Sequence, residues 1–409
     1  MNAEKQSSIR ICIYSAVSPR TENRPKPLSA FARLKRFVGR SLDLLGWFLF
    51  GRSSVRFHHW STRDITNKGD IAIRETIKEN LKSLFAPRPV TFTELHWDEL
   101  VPAKAADIDR DHDLFVIGGS GYIASDEEGN ISRRADQDLA SIVQIKCPKI
   151  AFGIGWNKLL ASGDFNEPRP LSQKARGILK DTLRHLDLIS VRDSATQALV
   201  SELIGRQPQL TGDPALFYSG SQRRQFTDGK LHVGVNFALH GPERVEFIAQ
   251  QNKIFCDVLA KFAKRHDVVY HYMQHAYPER AIPLMLRARG ISVVREDLPI
   301  DQMAALYGVL DMHVCQMLHS AILAVGAGTP TLHYGYDIKS MGFFDLMQMP
   351  ELCYPDWPLD PDQMFAELES LLLNSQTIRA HIAQRKKEIK KAADTFLEDV
   401  KEVVMRKQV

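Results

Sequence analysis

Short apolar, β-branched runs alternate with amphipathic stretches along most of this chain. Runs at residues 9–17 (IRICIYSAV), 90–95, 114–117, 149–154, 188–191 and 208–211 predict strands, with helices between them that include 171–186 and 194–204. A polar, turn-rich stretch at 219–230 (SGSQRRQFTDGK) breaks the pattern. The alternation then resumes with strands expected at 231–237, 268–272 and near 293, 312 and 331, and a helix over 243–265. Strand–helix alternation of this length predicts mainly parallel sheets. From about residue 360 the chain is charged and helical, and AHIAQRKKEIKKAADTFLEDVKEVV carries an amphipathic period. The expected architecture is α/β: two doubly wound, Rossmann-like domains over 1–222 and 223–380, facing a cleft, and a C-terminal helical tail at 381–409. A hinge near 222 would let such a cleft close over a small molecule.

The first unit is interrupted at about 18–60, which delays its first regular helix to about Asp70. Within that insertion, residues 31–57 set Leu42, Leu44, Leu45, Trp47, Phe48, Leu49 and Phe50 among Arg33, Lys35, Arg36, Arg40, Arg52 and Arg56. The apolar part falls short of the roughly 20 residues a spanning helix needs. Aromatic residues beside cations suit a helix lying in the headgroups of an anionic leaflet. A helix packed on the protein and a lid over the cleft are the other readings.

Composition narrows the class. A chain of 409 residues, 44% hydrophobic and 25% charged, can bury two cores, and a formal charge of +4 is too small to point to nucleic acid. Five scattered cysteines, none spaced as CxxC, exclude a dense disulfide framework and fit a reducing cytoplasm. The polar start MNAEKQSSIR lacks the apolar run of a signal peptide. A cytoplasmic protein is expected, with peripheral contact at the inner membrane face through 31–57.

Candidate chemistry gathers where strands end. Asn67-Lys68-Gly69-Asp70 opens a helix, where Gly69 permits close backbone approach and helix-start N–H groups can meet an anion; the same residues suit an ordinary turn and cap. Gly118-Gly119-Ser120-Gly121 follows an apolar strand and can cradle phosphate or sugar, though without dinucleotide-type spacing. The acidic run Asp107, Asp109, Asp111, Asp113 reads as a solvated loop, and no metal is expected. Gly153-Ile154-Gly155-Trp156-Asn157 repeats the strand-then-glycine pattern. Arg192 either grips an anion bidentately or pairs with Asp193 or a more distant acid. Thr211-Gly212-Asp213-Pro214 supports the cleft. His319, between a buried strand and a small-residue helix, can donate a proton to carbon, with a pKa lowered by the helix start. His271 and His275 offer polar contacts at another strand end, and Lys339 can reach a phosphate.

Taken in order, these segments resemble the polysaccharide pyruvyl transferase family. The family pattern N-x-G-D, D-x-x-x-x-G-G-x-G, I-G-x-x-N, S-V-R-D, T-G-D-P-A, (R)-L-H-x-x-x-x-A, G-x-P and Y-x-x-K is matched at 67–70, 113–121, 154–157, 190–193, 211–215, 317–324, 328–330 and 336–339. The resemblance implies a two-lobed architecture similar to GT-B glycosyltransferases. It implies transfer of a pyruvyl group from phosphoenolpyruvate, as co-substrate and without a further cofactor, onto sugar hydroxyls of a cell-surface polysaccharide or its lipid-linked precursor. In those terms His319 matches the general acid and Arg192 an arginine contacting the donor. Asn67, Gly69, Asp70, Gln316, Leu318 and Lys339 would bind the donor, while Gly118, Gly119, Gly155, Asn157 and His271 shape the cleft.

One position departs from the pattern: Met317 stands where the family has arginine before leucine-histidine. Loss of a charge-assisted contact costs about 1.5–3 kcal/mol. Gln316, His271 or Arg280 could substitute, the donor could differ, or activity could be lost. A nucleotide-sugar glycosyltransferase and a non-catalytic sugar-binding protein are accordingly the alternative functions.

Overall fold

The computed structural model describes residues 8–17, isolated positions between 31 and 42, and 67–125, 129–131, 134–158, 170–221, 225–237, 245–275, 281–335, 338–354 and 358–407. Most of the expected insertion, the hinge position 222 and Arg280 lie outside the described residues.

The first lobe is built on β1 (Ile9–Ser15), β2 (Val90–His96), β3 (Leu114–Gly118), β5 (Lys149–Ile154), β7 (Leu188–Val191) and β8 (Gln209–Leu210). These run parallel in the order β2-β1-β3-β5-β7-β8, and a small parallel pair, β4 (Ile123–Ser125) and β6 (Trp156–Lys158), stands apart. Helices α1 (Lys68–Phe85), α2 (Ala105–Asp111), α3 (Arg134–Ile142), α4 (Gln173–Arg184) and α5 (Ser194–Ile204) connect them. Local chemistry sets their ends. Ser172 caps α4 by accepting from Ala175 N, Asp193 caps α5, and α5 stops at left-handed Gly205, φ 72°.

The second lobe repeats the plan with β9 (Leu231–Asn236), β10 (Val268–Met273), β11 (Val293–Glu296), β12 (Met312–Cys315), β13 (Thr331–Tyr334) and β14 (Cys353–Tyr354). Their order, β11-β10-β9-β12-β13-β14, is that of a dinucleotide-type doubly wound sheet. Helices α6 (Val245–Arg265), α7 (Ala281–Arg287), α8 (Ile300–Tyr307), α9 (Leu318–Gly326), α10 (Ile338–Leu346) and α11 (Pro361–Leu373) accompany it. The order reverses direction between β1 and β3 in one lobe and between β9 and β12 in the other. At such switch points the flanking connections diverge to opposite faces and leave a crevice at the strand ends.

The last helix, α12 (Ser375–Arg406), is 32 residues long and about 48 Å from end to end. Near its start the Arg379 guanidinium donates to the carbonyls of Gly328, Leu310 and Asp311 in the second lobe. Near its end Phe396 packs on Phe152, ring centroids 5.3 Å apart, and Asp399 accepts from Gln209, both in the first lobe. The expected tail is therefore a strap joining both lobes. One apolar core runs through both sheets and this helix, and a second fills the other face of the first sheet. Between the lobes the turn Pro214–Phe217 sits so close to α9 that a Cβ on Gly326 would lie 2.5 Å from the Leu216 carbonyl oxygen.

At the edge of the second sheet, Tyr334, Tyr354, Asp360, Gln363 and Glu367 line a recess of about 270 Å³, open water included. The Tyr334 hydroxyl donates to Glu367 at 3.0 Å, yet burial pushes that carboxyl up to about 7. A raised folded-state value means that between about pH 4.5 and 7 the native state keeps a proton the unfolded chain has released. Its contribution to stability is therefore lost as pH rises through that window. Glu367→Gln should remove this dependence, so that its stability relative to the parent improves by about 3 kcal/mol between pH 4.5 and 8; denaturant unfolding at the two pH values measures it.

Candidate active site

The two switch points face each other, and the residues at the strand ends are bonded across the gap. Asn67 caps α1, and its side-chain oxygen accepts from Gly69 N–H at 3.0 Å. That bond fixes the amide orientation, so the same oxygen is also an acceptor for His319 Nδ1 of the second lobe at 3.2 Å. His319 then carries its neutral-state proton on Nδ1. Nε2, which no described residue takes, is left to gain or give a proton. A Cβ on Gly69 would lie 2.1 Å from His319 Cγ, so glycine is what lets the imidazole lie on the helix start. Lys68 ties the same turn to the second lobe through its ammonium on Gln274 O, 2.7 Å, and Asp297, 3.3 Å.

Across the first lobe's switch point Ser120, held at φ 59°, donates to Asp70 at 2.7 Å. Burial pushes the Asp70 carboxyl up, against the opposing pull of the Ser120 hydroxyl, Arg192 and Lys339. The Arg192 side chain is 4% exposed: its guanidinium donates to Asn157 Oδ1 at 3.0 Å and lies 3.4 Å from Asp193 and 3.5 Å from Asp213. Each aspartate spends its other oxygen on a cap, Asp193 on Thr196 N–H and Asp213 on Ala215 N–H. The ion pair with Asp193 is thus present, and Asp213 joins it, while Arg192 still acts electrostatically on both Asp70 and His319. Burial, with Arg192 and Lys339 adding to it and Asp213 opposing, lowers His319 to about 4, so the resting ring is neutral at pH 7.

The glycines of the strand-end turns make room for this chain's own atoms. A Cβ on Gly155 would lie 2.0 Å from Arg192 Nε, one on Gly121 1.8 Å from Asn157 Nδ2, and one on Gly119 2.4 Å from Ile73. Gly118 packs on Ile13. The missing Cβ atoms thus admit Arg192, Asn157 and α1 to the strand ends.

Two expectations are corrected. The start of α1 has no N–H to spare for an anion: Lys68 donates to His275 O, Gly69 to the Asn67 side chain, and Asp70 and Ile71 to Asn67 O. His271 does not reach the strand end. It is buried with one ring nitrogen 3.0 Å from Glu296 and the other 2.9 Å from His232, and Gln274 and His275 make the contact there instead.

The open helix start belongs to α9. Its N-cap is Met317, whose thioether makes no cap bond, and the N–H groups of Leu318 and His319 have no partner among the described residues. Met317 is buried but belongs to neither apolar core, whereas the Leu318 side chain is in the larger one. Gln316, also buried, hydrogen-bonds Asn236 O through its backbone and leaves its side-chain oxygen unpartnered. Two N–H groups at a positive helix end, beside His319 and within the fields of Arg192 and Lys339, can bind an anion. Lys68 and Ser120 were legible in sequence only as members of their turns, and Asp213 only as part of a turn supporting the cleft, without the partners they have here. The strained Ser120 conformation follows from the Gly-Gly-Ser-Gly turn, whereas the contacts of Lys68 and Asp213 depend on pairing between distant segments.

Two lobes with facing switch points and a returning C-terminal helix make a GT-B-type fold. A Listeria monocytogenes protein assigned as a UDP-N-acetylglucosamine 2-epimerase aligns over 97% of this chain and 96% of its own, with TM-score 0.53 and 12% identity. UDP-GlcNAc 2-epimerase from Neisseria meningitidis, solved with UDP-GlcNAc, aligns over 83% and 97%, with TM-score 0.51 and 10% identity. At such identities the likeness is one of fold. No curated protein sequence matches the chain. The sequence model of polysaccharide pyruvyl transferase matches residues 67–338, from the Asn67 turn to the start of α10, and the chain belongs to that family.

Two substitutions test the geometry. Gly69→Ala should leave a folded protein, since alanine favours helix, but displace the ring; the His319 Cε1–H resonance should then titrate well away from pH 4. Met317→Asn should cap α9 with its own side chain and weaken inorganic phosphate binding at least about tenfold, measured by calorimetry. Unchanged phosphate affinity would exclude α9 as the anion site.

Proposed function

We propose that this protein transfers the pyruvyl group of phosphoenolpyruvate to two hydroxyls of a sugar, forming a cyclic ketal on a polysaccharide or its lipid-linked precursor. The observation that carries the reading is His319: one nitrogen is held by Asn67, no described residue takes the other, and the N–H groups of α9 that lack a partner among the described residues lie beside it. The donor's carboxylate and phosphate would sit at those N–H groups and in the fields of Arg192 and Lys339, which answers the missing arginine at Met317 with backbone dipoles and neighbouring cations.

The binding of so much negative charge also prepares the acid. The unliganded imidazole sits near 4, and an anion next to it raises that value by stabilising the imidazolium. A sugar hydroxyl oxygen bonds to C2 of the enol while the His319 proton goes to C3, turning the methylene into a methyl group. Asp70, made more basic by burial, would take the hydroxyl's proton. The second hydroxyl then bonds to C2 as the C–O bond to phosphate breaks; phosphate leaves with the electron pair and takes up that hydroxyl's proton, while the proton held by Asp70 is the one that restores His319.

A nucleotide-sugar donor is the second reading, favoured by the dinucleotide-type strand order of the second lobe. Saturable binding of a nucleotide sugar, with none of phosphoenolpyruvate, would select it.

Labelled phosphoenolpyruvate incubated with lipid-linked glycans should give labelled ketal and one phosphate per pyruvyl group. His319→Ala should lower that rate by about 10²–10⁴. In the parent protein the His319 titration should move up from near 4 when phosphoenolpyruvate is added. No shift and no incorporation would reject the proposal.

A further inference from the structure

Phe31, Leu34, Phe37 and Val38 are helical and 76%, 60%, 67% and 38% exposed. Ser41 donates its side-chain hydroxyl to Phe37 O at 3.0 Å, a back-bond to the i−4 carbonyl that a helical turn brings within reach. Positions i, i+3, i+6 and i+7 share one helix face, so these four make an apolar stripe turned to water.

The sequence around the stripe is basic. Residues 31–57 hold six cations (Arg33, Lys35, Arg36, Arg40, Arg52 and Arg56) against one acid, Asp43. That excess is larger than the +4 of the whole chain, so the rest of the molecule is close to neutral. No helix among the described residues is long and apolar enough to cross a membrane.

We propose that this stripe lies in the headgroup region of an anionic lipid bilayer, with Phe31, Leu34 and Phe37 inserted and the surrounding arginines and Lys35 supplying the attraction. An exposed apolar face with concentrated positive charge is the chemistry of an interfacial helix, whose affinity combines apolar burial with attraction to anionic lipid. A soluble protein partner would satisfy the stripe but give the cations no extended negative surface. The contact stands on the segment itself. That it brings the crevice to a lipid-linked acceptor rests on the reading of function above.

Flotation of the full chain with phosphatidylcholine vesicles, with and without phosphatidylglycerol, tests the contact in the absence of substrate. The protein should float with the anionic vesicles, less so at high salt, and stay behind with phosphatidylcholine alone. Replacing Phe31, Leu34 and Phe37 together by serine, or Arg33, Arg36 and Arg40 together by glutamate, should each reduce binding at least about tenfold. Thermal unfolding of the serine variant should be unchanged, because the residues replaced are exposed. Equal binding by parent and variants, or none by the parent, overturns the proposal. So does a parent dimer that the serine variant breaks without vesicle binding, which would assign the stripe to a second copy. Ketal formation on a soluble acceptor, assayed in parallel, should survive both variants. Its absence in the parent, with vesicle binding intact, would reject the proposed function and leave the membrane contact standing.

Discussion

The absence of one Cβ, at residue 69, is the constraint on which the arrangement rests. It lets the start of α1 in the first lobe lie directly on the His319 ring of the second. Around that contact Asn67 sets the tautomer, Lys68 bonds the neighbouring strand end, and Asp70 meets Ser120 across the switch point. Four consecutive residues thus supply interface, ring orientation and polar lining. A larger residue at 69 would move the ring away from Asn67, and the separate parts of the crevice would no longer converge.

The electrostatics of the site balance burial against pairing. Arg192 is nearly inaccessible but has Asp193 and Asp213 close by, which is how a guanidinium tolerates removal from water. The same surroundings keep His319 neutral at rest and Asp70 more basic than an exposed aspartate. Met317 fits this balance in an unexpected way. A polar N-cap would stabilise α9 by about 1 kcal/mol, and its absence leaves the first N–H groups of the helix without a partner among the described residues, beside the imidazole.

Much of the scaffold was legible because strands buried on both faces read as continuous apolar runs: 149–154 and 188–191 coincide with β5 and β7. The pair β4 and β6 and the edge strand β14 were not legible, since two or three residues carry no period. The candidate residues Asn67, Gly69, Asp70, Arg192 and His319 were identifiable as strand-end polar groups, but their mutual contacts were not. Asn67 and His319 are separated by 252 residues, and no local pattern encodes that pairing. The same limit explains why His271 looked like a crevice residue: its partners Glu296 and His232 lie on neighbouring strands. It also explains why the open amides were expected on α1 and occur on α9.

The long final helix has a mechanical consequence. Because α12 is pinned to second-lobe carbonyls at one end and to Phe152 and Gln209 at the other, the chain passes between the lobes twice, once between β8 and β9 and once along this rod. Any displacement of one lobe against the other must carry this rod with it or break the Arg379 contacts at one end or the Phe396 and Asp399 contacts at the other.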